Sequence, residues 1–225
     1  RHPAGAGRPR DIEAAVITSP AFGGKRWGVL GLARTGRAVA AALAASGGMV
    51  VGWDDGDAAR AGFEGELLDL NRADLSGFAG IIVSPGVPHS APIFANAAAH
   101  GVPVLGDTEL FAMALPHLPQ SLVVGITGTN GKSTTTALLH HLLSQAGLPA
   151  AMGGNIGLPI MAQNPLQAGG VWVLELSSYQ LEITHSLACD VAILTNITPD
   201  HLERHGSMAG YAAAKARLFA MQKPL

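Results

Sequence analysis

The sequence predicts an α/β fold built as two successive units, each a sheet whose strands run into glycine-rich turns. Three observations carry the prediction. Short apolar runs alternate with alanine- or leucine-rich stretches of helical length. Two of those runs lead straight into a glycine turn that opens a helix, residues 27–30 into 31–36 and residues 121–124 into 125–131. A Pro-His-Leu-Pro segment at 116–119 separates the two sets. With 225 residues, 48% of them hydrophobic, the chain can bury two modest cores.

Composition excludes several classes. Charged residues make up 13% and the net charge is -2, with no basic stripe, so nucleic acid is not expected as a partner. Cys189 is the single cysteine, which rules out an intrachain disulfide and fits a reducing, cytoplasmic compartment. No apolar run reaches the length of a membrane span. Residues 1–15 are rich in Pro, Gly and Arg without a hydrophobic period or a signal-peptide core, and read as a disordered leader.

The first unit is expected over residues 16–115. A strand at 27–30 enters the turn Gly31-Leu-Ala-Arg-Thr-Gly36, and Thr35 is placed to cap an alanine-rich helix running to about Ser46. A second strand at 49–53 ends at Asp54-Asp55. Strand, glycine turn, helix, strand and acid is the layout of a Rossmann-like half. Ala33 replaces the middle glycine of the dinucleotide fingerprint, which disfavours an NAD dehydrogenase. Asp54 can accept hydrogen bonds from a ribose or a base; the alternative is an acidic loop at a strand end. A strand at 80–83 closes on Ser84-Pro-Gly86, a loop at the strand end where open α/β sheets bind ligands. A helix at 91–100, a strand at 102–105 and a short helix at 107–114 complete the unit.

The second unit is expected over 116–225. A strand at 121–124, the turn Gly125-Ile-Thr-Gly-Thr-Asn-Gly-Lys-Ser-Thr134 and a helix at 135–145 form a P-loop-type phosphate cradle. Backbone N–H groups and a helix N-terminus meet the anion, Lys132 adds a full charge, and the Ser133 or Thr134 hydroxyl can ligand Mg²⁺. Ile126 stands where the general pattern has its leading glycine. The Gly153–Gly157 stretch reads as a loop with close backbone approach. Glu175 interrupts the buried strand 171–176, so its carboxylate needs hydrogen-bond donors or a cation; a metal is favoured beside a phosphate loop. A strand at 190–195 delivers Asp200 and His201 to the same edge. His201 is read as a ligand in that setting and His205 as a loop histidine. The helix at 207–221 carries Tyr211, Lys215 and Arg217, and by its position Lys215 reads as a solvated lysine.

Five motifs, TGTNGKST at 127–134, GGNIG at 153–157, LELSSYQLE at 174–182, NITPDHLERH at 196–205 and YAAAK at 211–215, resemble those of the Mur ligases in order and spacing. The GGNIG and LELSSYQLE stretches are similar to the branch that adds D-glutamate. The resemblance covers about residues 17–225. It implies a three-domain, ATP-dependent enzyme of peptidoglycan precursor synthesis, monomeric when intact. Its first domain takes a UDP-sugar, its central domain ATP, and a third domain brings in the amino acid. On this reading the chain carries the first domain and the first part of the central one, and the amino-acid domain is absent. The substrates implied are UDP-N-acetylmuramoyl-L-alanine and D-glutamate. Gly128, Thr129, Asn130, Gly131, Lys132, Ser133 and Thr134 would hold ATP. Ser133 and Glu175 would ligand one Mg²⁺, His201 would help hold a second, and Lys215 as a carbamate would support metal binding, with Lys132, His201 and Lys215 catalytic. Arg34, Thr35 and Asp54 would contact the uridine diphosphate, and Gly86, Asn155, Ser177 and Gln180 would line the path of the sugar. Two alternatives stay open: a sister ligase adding another amino acid, or a fragment that binds the UDP-sugar without turnover.

Overall fold

A computed structural model describes residues 16–224; the leader expected at 1–15 and Leu225 lie outside the described residues. The first unit contains β1 (Arg26–Leu30), α1 (Arg34–Ala45), β2 (Met49–Trp53), α2 (Asp57–Ala61), β3 (Glu66–Leu67), β4 (Phe78–Val83), α3 (Pro92–Ala99), β5 (Val104–Leu105) and α4 (Asp107–Ala114). Its sheet has the order β3-β2-β1-β4-β5, parallel throughout. The order reverses direction at β1, so the ends of β1, β2 and β4 open onto one crevice. Gly36 is required there: a Cβ on it would lie 1.8 Å from the Gly31 carbonyl oxygen. Thr35 does not cap α1. The N-cap is Ala33, which makes no side-chain cap bond, and Thr35 lies inside the first turn.

The second unit contains β6 (Ser121–Thr127), α5 (Lys132–Gln145), β7 (Ala150–Gly154), β8 (Gly170–Glu175), α6 (Ser178–Glu182), β9 (Val191–Leu194), α7 (Leu202–His205) and α8 (Met208–Ala220). Its sheet is also parallel, ordered β7-β8-β6-β9. The strand expected at 121–124 runs three residues further, and the helix expected from Thr135 starts at Lys132. That extension explains Ile126. It is fully buried, paired with Glu175 on one side and Ile193 on the other, and so belongs to the ladder rather than to the turn. The first two residues of the Gly153–Gly157 stretch, expected as loop, end β7; the turn proper follows them. His205, expected in a loop, sits in α7 with a side chain only 2% exposed.

The two sheets are joined by the short 3-10 turn Leu115–His117 and share one core. Phe111 of α4 meets Trp172 of β8 edge to face, with ring centroids 5.0 Å apart. Each ring is buried, so this contact couples the units through two large apolar side chains. Polar clamps add register. Glu109 of α4 accepts from the Ser186 hydroxyl (2.7 Å) and from the His185 and Ser186 N–H groups (2.6 and 3.0 Å). The Ile17 N–H donates to Met161 O at 3.1 Å. Among the described residues no helix is long and apolar enough to cross a membrane.

Candidate functional site

The phosphate-type loop leaves β6 through Gly128, whose φ of 146° no ordinary side chain tolerates. A Cβ there would lie 2.0 Å from Thr195 Oγ1. Gly131, at φ 81°, caps α5 and turns the backbone so that the helix begins at Lys132. The loop is tied to the segment after β9. Thr129 N–H donates to Asn196 O (3.0 Å), Asn130 N–H to Asn196 Oδ1 (3.0 Å), and Thr195 Oγ1 donates to Asn130 O (2.7 Å). Thr129 Oγ1 also lies 3.2 Å from the Tyr211 hydroxyl. The loop therefore holds its shape by bonds to its own chain before any anion arrives.

Two ammonium groups converge on this loop. Lys132 Nζ donates to Gly128 O (3.0 Å) and Thr129 O (2.9 Å), and Lys215 Nζ donates to the same Gly128 O at 2.8 Å. Lys215 is not the solvated lysine expected from its place on a helix. It is 2% exposed, with Nζ 4.6 Å from the Tyr211 ring centroid. Burial, and then the charge of Lys132, lower its pKa to about 8. An amine so placed spends part of its time neutral near physiological pH.

Glu175 ends β8 one strand over and is 1% exposed. Its Oε1 accepts from Asn155 Nδ2 at 3.0 Å, while Oε2 is buried without a hydrogen-bond partner. An orphaned carboxylate oxygen in a buried site is costly and marks a place for a cation or donor. His201 follows β9 at a φ of 52°, the one described non-glycine residue in the left-handed region. Its Nδ1 lies 3.1 Å from the Tyr179 hydroxyl, and its ring centroid is 6.2 Å from that of Tyr211. Lys132 follows β6, Glu175 ends β8 and His201 follows β9, three neighbouring strands of the sheet; Lys132 and Lys215 share Gly128 O, and Tyr211 lies against both Lys215 and His201. Among the described residues no three His, Cys, Asp or Glu side chains converge on a metal position. A cation here would need the Ser133 hydroxyl, which is exposed at the start of α5, or a modified Lys215.

The crevice of the first sheet is a cleft of about 460 Å³ lined in part by Gly31, Asp54, Asn71, Ser84, Gly86 and Val87. Gly86 faces open space, since a Cβ on it would meet no atom within 4 Å. Asp54 is already engaged: Oδ2 accepts from Leu32 N–H (2.7 Å) and Oδ1 from Gly56 N–H (2.8 Å). Those N–H bonds, Gly56 first, hold its pKa below the ordinary carboxylate value. The carboxylate fixes the glycine turn and keeps lone pairs free for a ligand. Arg34 is exposed at the first turn of α1, and Thr35 is half-buried.

Asn155, expected along the sugar path, is exposed and orients Glu175. Ser177 and Gln180 form a capping box on α6: Ser177 Oγ accepts from the Gln180 N–H, and Gln180 Oε1 accepts from the Ser177 N–H. Gln180 is 2% exposed, so both side chains serve the helix start in this structure. Sequence reasoning missed Asn196, Thr195 and Tyr179 as parts of the site. Asn196 and Tyr179 lie inside two of the motifs quoted above, and Thr195 directly follows the apolar run of β9.

The pattern of the Mur ligase middle domain matches residues 126–224, the stretch that carries the loop, Glu175, His201 and Lys215. Over that stretch the chain is similar to the Mur ligases. It is 60% identical over 211 residues to the UDP-N-acetylmuramoylalanine--D-glutamate ligase of Novosphingobium aromaticivorans, covering 92% of this chain and 48% of that protein. The ligases of the same name from Sphingopyxis alaskensis and Zymomonas mobilis are 57% and 53% identical, with 92% of this chain covered in each and 49% and 51% of those proteins. The chain thus spans about half the length of the curated relatives it matches. Among solved Mur ligase structures, the fold is similar to UDP-N-acetylmuramate:L-alanyl-gamma-D-glutamyl-meso-diaminopimelate ligase from Neisseria meningitides. That match has a TM-score of 0.57 at 17% identity and covers 88% of this chain and 68% of that one. It is also similar to UDP-N-acetylmuramate-alanine ligase from Thermotoga maritima (TM-score 0.51, 22% identity, covering 88% and 47%). At those identities the likeness concerns the fold.

Proposed function

We propose that this chain supplies the sugar-nucleotide and ATP sites of a cytoplasmic ligase that joins D-glutamate to UDP-N-acetylmuramoyl-L-alanine. The observation that carries the reading is the 60% identity to a D-glutamate ligase across nearly the whole chain, joined to a phosphate loop whose neighbours are Glu175, His201 and a buried Lys215. Residues 16–115 would be the UDP-sugar unit and 116–225 the first part of the ATP unit. The uridine diphosphate would lie in the first sheet's crevice against Gly31, Arg34, Thr35 and Asp54, with Gly86 on the path of the sugar. The sugar and its alanine would extend past Asn155 towards the loop Gly128–Thr134.

In the reaction, the alanine carboxylate of the sugar nucleotide attacks the γ-phosphate of ATP, the bond from that phosphorus to the β,γ-bridging oxygen breaks, and ADP leaves. The resulting acyl phosphate is attacked by the amine of D-glutamate, giving an amide and phosphate. Lys132 leaves its own loop carbonyls and turns to the transferring group, whose negative charge is a stronger partner than two neutral oxygens. The loop N–H groups are already oriented and need no reorganisation. Mg²⁺ fits the residues present, because Glu175 Oε2 is buried without a partner. Ser133 and Glu175 would hold one ion, His201 would help hold a second, Lys215 as a carbamate would support them, and when bound they would neutralise charge on the triphosphate. An unmodified Lys215 ammonium would repel a dication, and its lowered pKa leaves an amine fraction free to take up carbon dioxide.

The test uses the complete protein and follows ADP release with UDP-N-acetylmuramoyl-L-alanine and D-glutamate. Lys132→Ala is expected to abolish sugar-dependent release. Near-normal turnover in that variant, or equal turnover with L-alanine in place of D-glutamate, would refute the assignment.

A further inference from the structure

We propose that Arg204 and Glu182 are positioning residues for the sugar cleft: together they hold the loop between β4 and α3, which forms one wall of it, from the second unit. This rests on the reading that the cleft takes a uridine-linked sugar. Ser84, Gly86, Val87, Pro88 and Ala91 of this loop line the cleft. The loop's own backbone bonds are local, Val87 N–H to Ser84 O (3.0 Å) and Ala91 N–H to Pro88 O (2.9 Å), and they fix its turns but not its place. Val87 and Ala91 pack on the apolar core of the first unit, and the polar ties that hold the loop come from the second unit. Arg204 Nη1 donates to Val87 O at 3.2 Å, and His89 Nε2 lies 3.2 Å from Glu182 Oε2.

The guanidinium is itself immobilised. Its Nε and Nη2 both lie 2.9 Å from Glu182 Oε2, and its carbon stacks 4.1 Å from the Tyr179 ring centroid. Glu182 is held in turn, with Oε1 at 3.0 Å from His205 Nδ1. Arg204 and Glu182 side chains are 11% and 17% exposed, so the pair is far less screened than a surface ion pair. Only the planar fork of an arginine can hold the carboxylate with two nitrogens and still reach a carbonyl with the third.

The position of α7 gives the clamp its meaning. One four-residue helix carries Arg204 towards the sugar loop, while its N-cap His201 meets the phosphate-side cluster through Tyr179 and Tyr211. Arg204 thus fixes the separation of the two strand-end edges. A reaction between a carboxylate carried on the sugar and a phosphate carried on the loop depends on that separation.

The sharp variant is Arg204→Lys, which can keep an ion pair with Glu182 but has no third nitrogen for Val87 O. Arg204→Met, which keeps the stem and loses every N–H, is the second. Amide hydrogen exchange of the peptide spanning residues 84–91 is read in the free protein. Affinities for UDP-N-acetylmuramoyl-L-alanine and for ATP are read by calorimetry. In Arg204→Lys, exchange is expected to quicken about tenfold and sugar-nucleotide affinity to fall about tenfold, the loss of one charge-assisted bond, with ATP affinity within about twofold of wild type. Unchanged exchange at 84–91, or equal losses for both ligands, would overturn the clamp. Faster exchange in a protein whose wild type binds no sugar nucleotide would uphold the clamp and refute the sugar assignment instead.

Discussion

Replacing Lys215 by Met should remove a pH dependence of stability that the buried ammonium imposes. The group is 2% exposed, and its pKa is lowered from 10.5 to about 8, by burial first and the Lys132 charge second. Between those values the unfolded chain keeps a proton that the folded chain has released. Stability therefore rises with pH in that window. Below it both states are charged, the slope vanishes, and the full cost of burying the ammonium is present. From about pH 8 to about pH 9 the unfolding constant should fall about fivefold, or about 1 kcal/mol. Cys189, whose thiol is pushed up to about 12 by burial, works in the opposite direction above its ordinary value of 9.0. It contributes equally to both proteins, so the comparison is taken as a difference. Urea unfolding of wild type and Lys215→Met, in degassed buffer to keep the amine unmodified, gives the number. Wild type should gain about 1 kcal/mol more than the variant across that unit. Equal gains would show that Lys215 is not a desolvated cation and would remove the physical argument for its modification.

Three further substitutions probe the frame. Gly36→Ala places a Cβ 1.8 Å from the Gly31 carbonyl oxygen, so the first glycine turn must open; a loss above about 3 kcal/mol in denaturant unfolding is expected, together with lost sugar-nucleotide binding. Glu109→Ala strands the His185 and Ser186 N–H groups and the Ser186 hydroxyl between the units; destabilisation of about 3 kcal/mol by urea unfolding is expected. Trp172→Ala removes the ring that packs on Phe111; it should cost about 3–5 kcal/mol, and a value under about 1 kcal/mol would contradict the shared core.

The parts of the fold legible in the sequence were those dictated locally. The apolar runs of β1, β4, β6 and β8 lie where buried parallel strands require them, those of β2 and β9 form half-buried strands, and Glu175 ends its strand while Lys132 opens the helix after the turn. The two-residue strands β3 and β5 and the short helices α2, α6 and α7 carry too few residues for a period to show. The capping box on α6 could have been read from Ser177-Ser-Tyr-Gln180, since serine followed three residues later by glutamine is a start signal. Lys215 could not be placed from its helix alone. Its burial comes from α8 lying over the end of β6, which only the tertiary arrangement fixes. The same holds for Arg204, whose partners Glu182 and Val87 are 22 and 117 residues away in the chain.

On the proposed function, the crevice of the first sheet and the loop Gly128–Thr134 serve one reaction from two sheet edges. A crystal structure with UDP-N-acetylmuramoyl-L-alanine and a non-hydrolysable ATP analogue bound together tests it most directly. Uridine is expected against Asp54, the sugar past Gly86, the γ-phosphate within reach of Lys132, and the alanine carboxylate directed at it. A sugar nucleotide seated away from the first sheet's crevice, or a carboxylate pointing away from the γ-phosphate, would contradict it.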